Sequence, residues 1–323
     1  AAIQQANAED WNESGVLDEI IVTAQRKAEV VQDNPVAISA YSGSNMEDFG
    51  VSNTADLSNL MPSFTAADNG YNTPVYTLRG VGFNDTTYTA TSTVGVYVDE
   101  VSLPYSIMTK GANLDLERVE VLKGPQGTLY GRNTTGGAIN YIANKPSDYF
   151  ETGVTATYSS YKTTDLEGYV SGPLSDSVRA RLAMHGTKSD EGWQESVTRD
   201  GDTLGRQDKF SMRAMVDFAP GDGDTLLVRW TVDHWYDRSD AQAAQSIHLT
   251  PQAPTTWNFL SPAVSAFLPH VIDRGEDDPT KADWPIIPGI DWQLNDSWWG
   301  TSLRTEWNMD DTTTLTVLAS AGR

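Results

Sequence analysis

From residue 151 onward the chain alternates apolar and polar positions with a period of two, the period of strands whose two faces meet different surroundings. Val154, Ala156 and Tyr158 alternate with Thr155, Thr157 and Ser159, and Val178, Ala180, Leu182 and Met184 alternate with Arg179, Arg181, Ala183 and His185. Phe210, Met212, Ala214, Val216 and Phe218 repeat the rhythm, as do Leu226, Val228, Trp230 and Val232. It returns more weakly at Trp299–Met309 and Thr314–Ala321. With Leu166–Leu174 taken as the second, the pattern predicts seven strands.

The connections between these strands also alternate in length. Short turns (Pro173–Asp176, Pro220–Asp224, Asp310–Thr312) exchange with longer loops (Ser189–Arg206 and the very long Ser239–Asp296). Short turns on one side and long loops on the other suit an outer-membrane barrel. A soluble sandwich alternates too, but Arg179, Arg181 and Arg213 lie opposite fully apolar faces, which is tolerable where the second face lines a wet lumen. Residues 30–146 have another texture: short apolar runs (Val94–Val98, Val119–Leu122, Ala138–Ile142) broken by Gly, Asn and Pro, with a helix expected near Asn53–Leu60. There Asn53 or Thr54 would cap and Ala55, Leu57 and Leu60 would face inward. This reads as a small α+β globule.

Composition narrows the function. The formal charge is -22, which disfavours nucleic acid, because a phosphate backbone is bound through clustered Lys and Arg. Zero cysteines leave no disulfide framework, thiolate metal site or cysteine nucleophile. No run approaches the roughly 20 apolar residues of a membrane-spanning helix; barrel strands of about 10 alternating residues remain allowed, and the 10 Trp and 13 Tyr suit aromatic girdles. His185, His234, His248 and His270 are scattered without metal-ligand spacing, and no serine carries a nucleophile signature. An enzyme has no residue support, and no cofactor or metal is expected.

At Asp115 the sequence reads DLERVEVLKGPQGTLYGRNTTGGAINYIANKP. Its glycines Gly124, Gly127, Gly131, Gly136 and Gly137 interrupt strand-forming runs where the chain must turn or let backbones approach. The Gly-Lys-Ser/Thr ending of a phosphate loop is absent. The run closely resembles the plug signature of TonB-dependent outer-membrane receptors. Thr77-Leu78-Arg79-Gly80-Val81-Gly82 and Gly95-Val96-Tyr97-Val98-Asp99-Glu100-Val101 match upstream, in family order, and the opening LDEIIVTAQ resembles the TonB box.

The resemblance implies a transmembrane all-β barrel of 22 antiparallel strands, about seven of them here, occluded by a small α+β plug. Residues 1–29 are then a periplasmic leader, 30–146 the plug, and 147–323 the first part of the barrel, with a long extracellular loop at about 239–296 and most of the wall expected beyond Arg323. Glu19, Ile20, Ile21, Val22, Thr23 and Ala24 would add as a strand to a sheet of periplasmic TonB; internal pairing as a first plug strand is the alternative. The leader is expected to dock against the plug or a further envelope protein. Arg79 and Lys123 fall where the family places basic plug residues that latch onto barrel carboxylates, and Gly80 with the five glycines above builds the plug.

Outward plug loops would offer Tyr71, Asn72, Phe83, Asn84, Asp85, Tyr88, Tyr105 and Met108 to a ligand. Trp257 and Trp284 would add aromatic faces from the long loop, read as an external lid. That loop holds eight acidic residues against Arg274 and Lys281, net -6, which disfavours strongly anionic cargo. The implied function is TonB-driven import of a scarce small-molecule nutrient, by default an iron-siderophore complex, with oligosaccharides or plant-derived aromatics close behind. A passive porin or surface adhesin on the same lipid-embedded barrel is the rival class.

Overall fold

The computed structural model describes residues 21–22, 29–30, 36–49, 51, 54–68, 73–83, 91–221, 225–243, 278, 280–282, 284, 291–310 and 312–323. In chain order the first ten strands are β1 (Ile21–Val22), β2 (Glu29–Val30), β3 (Ile38–Ser42), β4 (Phe64–Asp68), β5 (Pro74–Leu78), β6 (Val81–Gly82), β7 (Val94–Val98), β8 (Val101–Ser102), β9 (Leu116–Lys123) and β10 (Gly137–Ala143). They form three small sheets: β1-β2, β4-β5-β6, and a mixed five-stranded sheet β3-β9-β10-β7-β8. Helices α1 (Gly43–Asp48), α2 (Leu57–Leu60) and α3 (Gly127–Tyr130) are each one or two turns long.

Strand β10 is buried along its whole length. One face packs Ile139 and Tyr141 with Val96, Val121 and Phe64. The other packs Ala138 with Tyr97, Leu122, Tyr130 and the leader residue Val22. Gly137 starts this strand at φ +149, and a Cβ there would lie 2.3 Å from the Leu122 carbonyl oxygen, so no other residue fits. Between β7 and β8 the two-residue turn Asp99–Glu100 has φ 47 and 69, the mirror-image turn whose twist suits a hairpin.

The helix expected over Asn53–Leu60 is shorter. A 3-10 turn, Thr54–Asp56, leads into α2, with Asp56 at the cap position and no side-chain cap bond. Thr54 is buried and accepts the Tyr141 hydroxyl proton at 2.7 Å. Leu57 is buried as expected, whereas Ala55 is exposed; Asn53 lies outside the described residues.

The remaining strands are β11 (Glu151–Ser159), β12 (Thr163–Ser175), β13 (Val178–Ser189), β14 (Gln194–Ser196), β15 (Thr203–Leu204), β16 (Asp208–Phe218), β17 (Leu226–Asp237), β18 (Lys281–Ala282), β19 (Asp296–Asp310) and β20 (Thr313–Gly322). Seven of them pair antiparallel in the order β11-β12-β13-β16-β17-β19-β20, an unclosed wall with a simple up-and-down meander. The other three make a separate sheet from the two long connections, β15-β14-β18. There Leu204, Ala243, Ala282 and Trp284 share a small core.

Burial across the wall is inverted relative to a water-soluble sheet. Val154, Leu166, Met184, Phe218, Trp230, Leu303 and Val317, one from each wall strand, are 41–77% exposed on the outward face. Arg181 and Arg213, on the inward face, are 6% and 3% exposed. In water such a surface would forfeit about 25 cal/mol for each Å² of apolar area left uncovered; in hydrocarbon it forfeits nothing. Val178, Leu182, Phe210 and Val216 are none of them buried in a core. The inward arginines meet no open bore, however: the small sheets fill it, and that filling is what buries them.

Candidate functional site

The site with the densest chemistry is the seam between the small sheets and the wall. Its residues arise from simple parity: on β13, β16 and β17 odd-numbered side chains point inward, and on β19 even-numbered ones do, as the register pairs them. Arg181 therefore reaches Asp115, at the start of β9, and binds it through two parallel bonds, Nε to Oδ2 at 2.6 Å and Nη2 to Oδ1 at 2.7 Å. Its third nitrogen, Nη1, donates to Glu151 at 2.7 Å, and the guanidinium lies 4.2 Å from the Tyr169 ring centre. Asp115 also accepts Asn144 Nδ2 at 2.9 Å. One carboxylate thus ties two plug segments to the wall.

Arg213 donates Nη1 to the Leu114 carbonyl and Nε to Asp233, each at 2.6 Å. Arg304 donates Nη1 to Glu100 at 3.1 Å. Glu100 is the second residue of the positive-φ turn; the first, Asp99, holds Lys145. Burial alone would raise the Asp99 carboxyl, but Lys145, with Arg213 and Arg229 behind it, outweighs burial and holds it below the ordinary carboxylate range.

Toward the long-loop end the 3-10 segment Ser106–Gly111 is fixed to the wall. Lys110 Nζ donates to Asp237 at 3.1 Å and Asp296 at 3.0 Å, and Trp235 Nε1 donates to the Met108 carbonyl at 3.3 Å. A Cβ at Gly111 would lie 2.5 Å from the Trp235 ring, so glycine permits the contact. Inward, Thr109 and the Tyr76 hydroxyl share a 2.6 Å bond. A cavity of about 480 Å³ lies on one side of this segment, bordered by Asp165, His185, Lys209 and Asp237. His185 Nε2 is 2.9 Å from Asp165, which also accepts Thr187 Oγ1 at 2.6 Å. A second cavity, of about 340 Å³, lies on the other side. Among the described residues no group of three His, Cys, Asp or Glu side chains could hold a metal ion.

Residues 30–138 match the family model for the TonB-dependent Receptor Plug Domain. Over these residues the chain is a TonB-dependent receptor plug domain. The pesticin receptor of Yersinia pestis is 28% identical over 273 residues, 80% of this chain and 36% of that receptor. The ferripyoverdine receptor of Pseudomonas aeruginosa is 31% identical over 162 residues, 50% of this chain and 19% of the receptor. Among solved structures, the ferric yersiniabactin uptake receptor FyuA from Yersinia pestis superposes with a TM-score of 0.69 at 22% identity, covering 90% of this chain and 41% of that one. The ferric-catecholate import receptor Fiu of E. coli K12 gives 0.65 at 19%, covering 91% and 39%. The chain thus spans about a third of the pesticin receptor, and its setting is the outer membrane of a Gram-negative bacterium.

Within this receptor plug, the sequence-predicted residues fall into distinct places. Arg79 and Lys123 sit side by side: a Cβ on Gly124 would lie 3.9 Å from Arg79 Nη1, and burial, then the Arg79 charge, press Lys123 below its ordinary value. Among the described residues neither meets a carboxylate. The contacts that do tie plug to wall run in both polarities: Arg181 and Arg304 of the wall hold the plug carboxylates Asp115 and Glu100, while the plug residue Lys110 holds the wall carboxylates Asp237 and Asp296. Lys110, Asp115 and Glu100 were missed as anchors; only the inward Arg181, which holds Asp115, was a signal for any of them.

Tyr105 is 38% exposed and Phe83 is exposed, whereas Met108 packs on the plug core with its carbonyl committed to Trp235. The Ser106–Gly111 stretch is therefore not a free ligand loop. Trp284 is buried in the β14–β18 core, with Arg199 5.1 Å from its ring centre, so it is a packing residue rather than a ligand platform. Tyr71, Asn72, Asn84, Asp85, Tyr88 and Trp257 lie outside the described residues.

Gly80, Gly124, Gly131 and Gly137 have positive φ and Gly136 abuts Val81, while at Gly127 neither a positive φ nor a close neighbour requires glycine. In the leader, Ile21–Val22 pairs antiparallel with Glu29–Val30, and Val22 is 0% exposed. Ile21–Val22 thus takes the alternative arrangement, pairing internally, and Val22 docks on the plug sheet with Tyr97, Leu122, Tyr130 and Ala138. Glu19, Ile20, Thr23 and Ala24 lie outside the described residues.

Proposed function

We propose that this receptor imports a ferric siderophore across the outer membrane, driven by TonB. Residues 30–146 act as the plug, residues 147–323 as the opening strands of a 22-stranded barrel, and residues 1–29 as the leader that carries the TonB box. The inverted wall supports this reading most: apolar side chains face lipid while ion pairs seal the plug inside. The receptors it resembles are named for ferripyoverdine, ferric yersiniabactin and ferric catecholate. Lipid is the outward partner, and periplasmic TonB the inward one. For TonB to add a strand at Glu19–Ala24, β1 must leave β2 and Val22 must leave its seat, so engagement and undocking are one event.

The test is uptake of radio-iron complexes by cells that express the receptor, with and without a protonophore. Uptake that collapses with the proton-motive force supports the importer; uptake that continues identifies a passive porin. A proline at Ile21 or Val22 removes a ladder donor and should abolish uptake while the folded barrel persists; unchanged transport rejects the TonB-box assignment.

A further inference from the structure

On the inner face of the wall, three buried or half-buried arginines each hold two partners at once, one belonging to the wall and one to the plug. Arg181 Nη1 donates to wall Glu151 at 2.7 Å, while its other two nitrogens donate to plug Asp115. Arg304 Nε donates to wall Glu306 at 2.5 Å, while its Nη1 donates to plug Glu100 at 3.1 Å. Arg213 donates to wall Asp233 and to the neutral Leu114 carbonyl of the plug. A fourth, Arg229, is satisfied within the wall by both oxygens of Asp217, at 2.7 and 2.6 Å. Strand register supplies these wall acids: Asp217 lies opposite Arg229 and Asp233 opposite Arg213, and Glu306 follows Arg304 by two residues on the same face of β19. The wall therefore neutralises its own guanidinium groups before the plug contributes anything.

That sharing acts in one direction. A wall carboxylate and a plug carboxylate on the same cation compete for it and repel each other. The undocked state changes as well: stripping the partner from a buried guanidinium is strongly destabilising, whereas one that keeps a wall carboxylate is not left bare. Both effects weaken docking. We propose that Glu151 and Glu306 are release residues, placed to let Asp115 and Glu100 leave Arg181 and Arg304 when the plug is pulled. The inference rests on the import reading, in which the plug moves under load, and adds how the seam yields. At Arg213 the plug partner is uncharged, so the competition is confined to the other two sites. The plug charge there has the sign the device needs. Around the positive-φ turn Asp99 and Glu100 outnumber Lys145, and beside Asp115 the paired Glu117 and Arg118 cancel. A release residue differs in sign from a structural partner: neutralising a structural partner loosens the plug, while neutralising a competitor tightens it.

The chain contains no cysteine, so Ala1→Cys gives a unique handle for pulling on the leader of the intact, surface-tethered receptor in detergent, and the rate at which the plug leaves is read at constant force. Glu151→Gln and Glu306→Gln, each keeping shape and a hydrogen-bond acceptor, should slow extraction by about fivefold apiece, the scale of one partly exposed charge contact. Asp115→Asn should speed it. Glu195→Gln, whose Lys281 partner lies in the separate β15-β14-β18 sheet, should leave it unchanged. Glu151→Asp retains the charge and should stay nearer wild type than Glu151→Gln. Folding of each variant is checked by the heat-dependent mobility of the barrel on gels. Extraction as fast as wild type or faster in a glutamine variant overturns the release role of that residue. The protonophore assay scores import separately: slower extraction with uptake that ignores the protonophore upholds the charge sharing and fails the import reading, whereas energised uptake with unslowed extraction fails the release proposal alone.

Discussion

Removing the Asp115 carboxylate is the sharpest test of how the plug is held. Arg181 is buried and spends two of its three donor nitrogens on Asp115 and one on Glu151. Asp115→Ala leaves the guanidinium with Glu151 and the Tyr169 face only. Each charge-assisted bond contributes about 1.5–3 kcal/mol net, and stripping one partner from a buried pair costs about 3–5 kcal/mol. Glu151 is partly exposed and retains some compensation, so the lower end, about 3 kcal/mol, is expected.

Arg181→Met with Asp115 intact should cost a similar amount, and the double variant clearly less than the sum, with a coupling of about 2 kcal/mol. The assay is hydrogen exchange of the β9 and β10 amides in the purified receptor, since Asp115 immediately precedes β9 and Asn144 immediately follows β10. Protection there should fall by about 100- to 200-fold in either single variant, while wall amides away from the seam stay unchanged. Coupling below about 0.5 kcal/mol would refute the seam as the plug's anchor and make the pair an incidental contact of the kind seen on surfaces.

Val22→Asp should expel β1 from its seat, because a carboxylate among Tyr97, Leu122, Tyr130 and Ala138 is unpaired; protease cleavage within residues 20–30 should rise several-fold, and no change would deny that Val22 is seated. Gly137→Ala should cost more than about 3 kcal/mol, from the Leu122 overlap and the positive φ together, read as loss of folded receptor. Asp99 bears on pH. Its folded carboxyl titrates below the unfolded value of 3.8, so its contribution is present above that value and lost as pH falls through the folded one; Asp99→Asn should flatten plug stability across that acid window, measured by exchange at stepped pH. Lys110→Met should free the Ser106–Gly111 segment, seen as faster exchange at Met108 and Thr109, with β9 protection retained.

Parity along single strands was enough to read the wall. Val154, Met184 and Trp230 each repeat at two residues, and no packing information is needed to see that one face is apolar. The glycines and short apolar runs after Asp115 likewise marked β9 and β10 and the turns between them, because turns and close approaches demand particular residues at particular positions; that the turn holds a helix, α3, was not read. Which face is buried could not be read. Arg181 and Arg213 were placed on a wet face, and their near-complete burial follows only once the plug occupies the space inside the wall.

The partners of those arginines lie far away in sequence, 66 residues for Asp115 and 99 for Leu114, and no local rule links them. The same distance defeated Lys110, a lone lysine in a short helical turn, and Trp284, an aromatic that looked like a ligand platform until β18 closed on β14. Local chemistry determined the strands, turns and outward face of this receptor; charge pairing across the seam was decided only by three-dimensional proximity, since Coulomb and hydrogen-bond energies depend on distance in space and are blind to position along the chain.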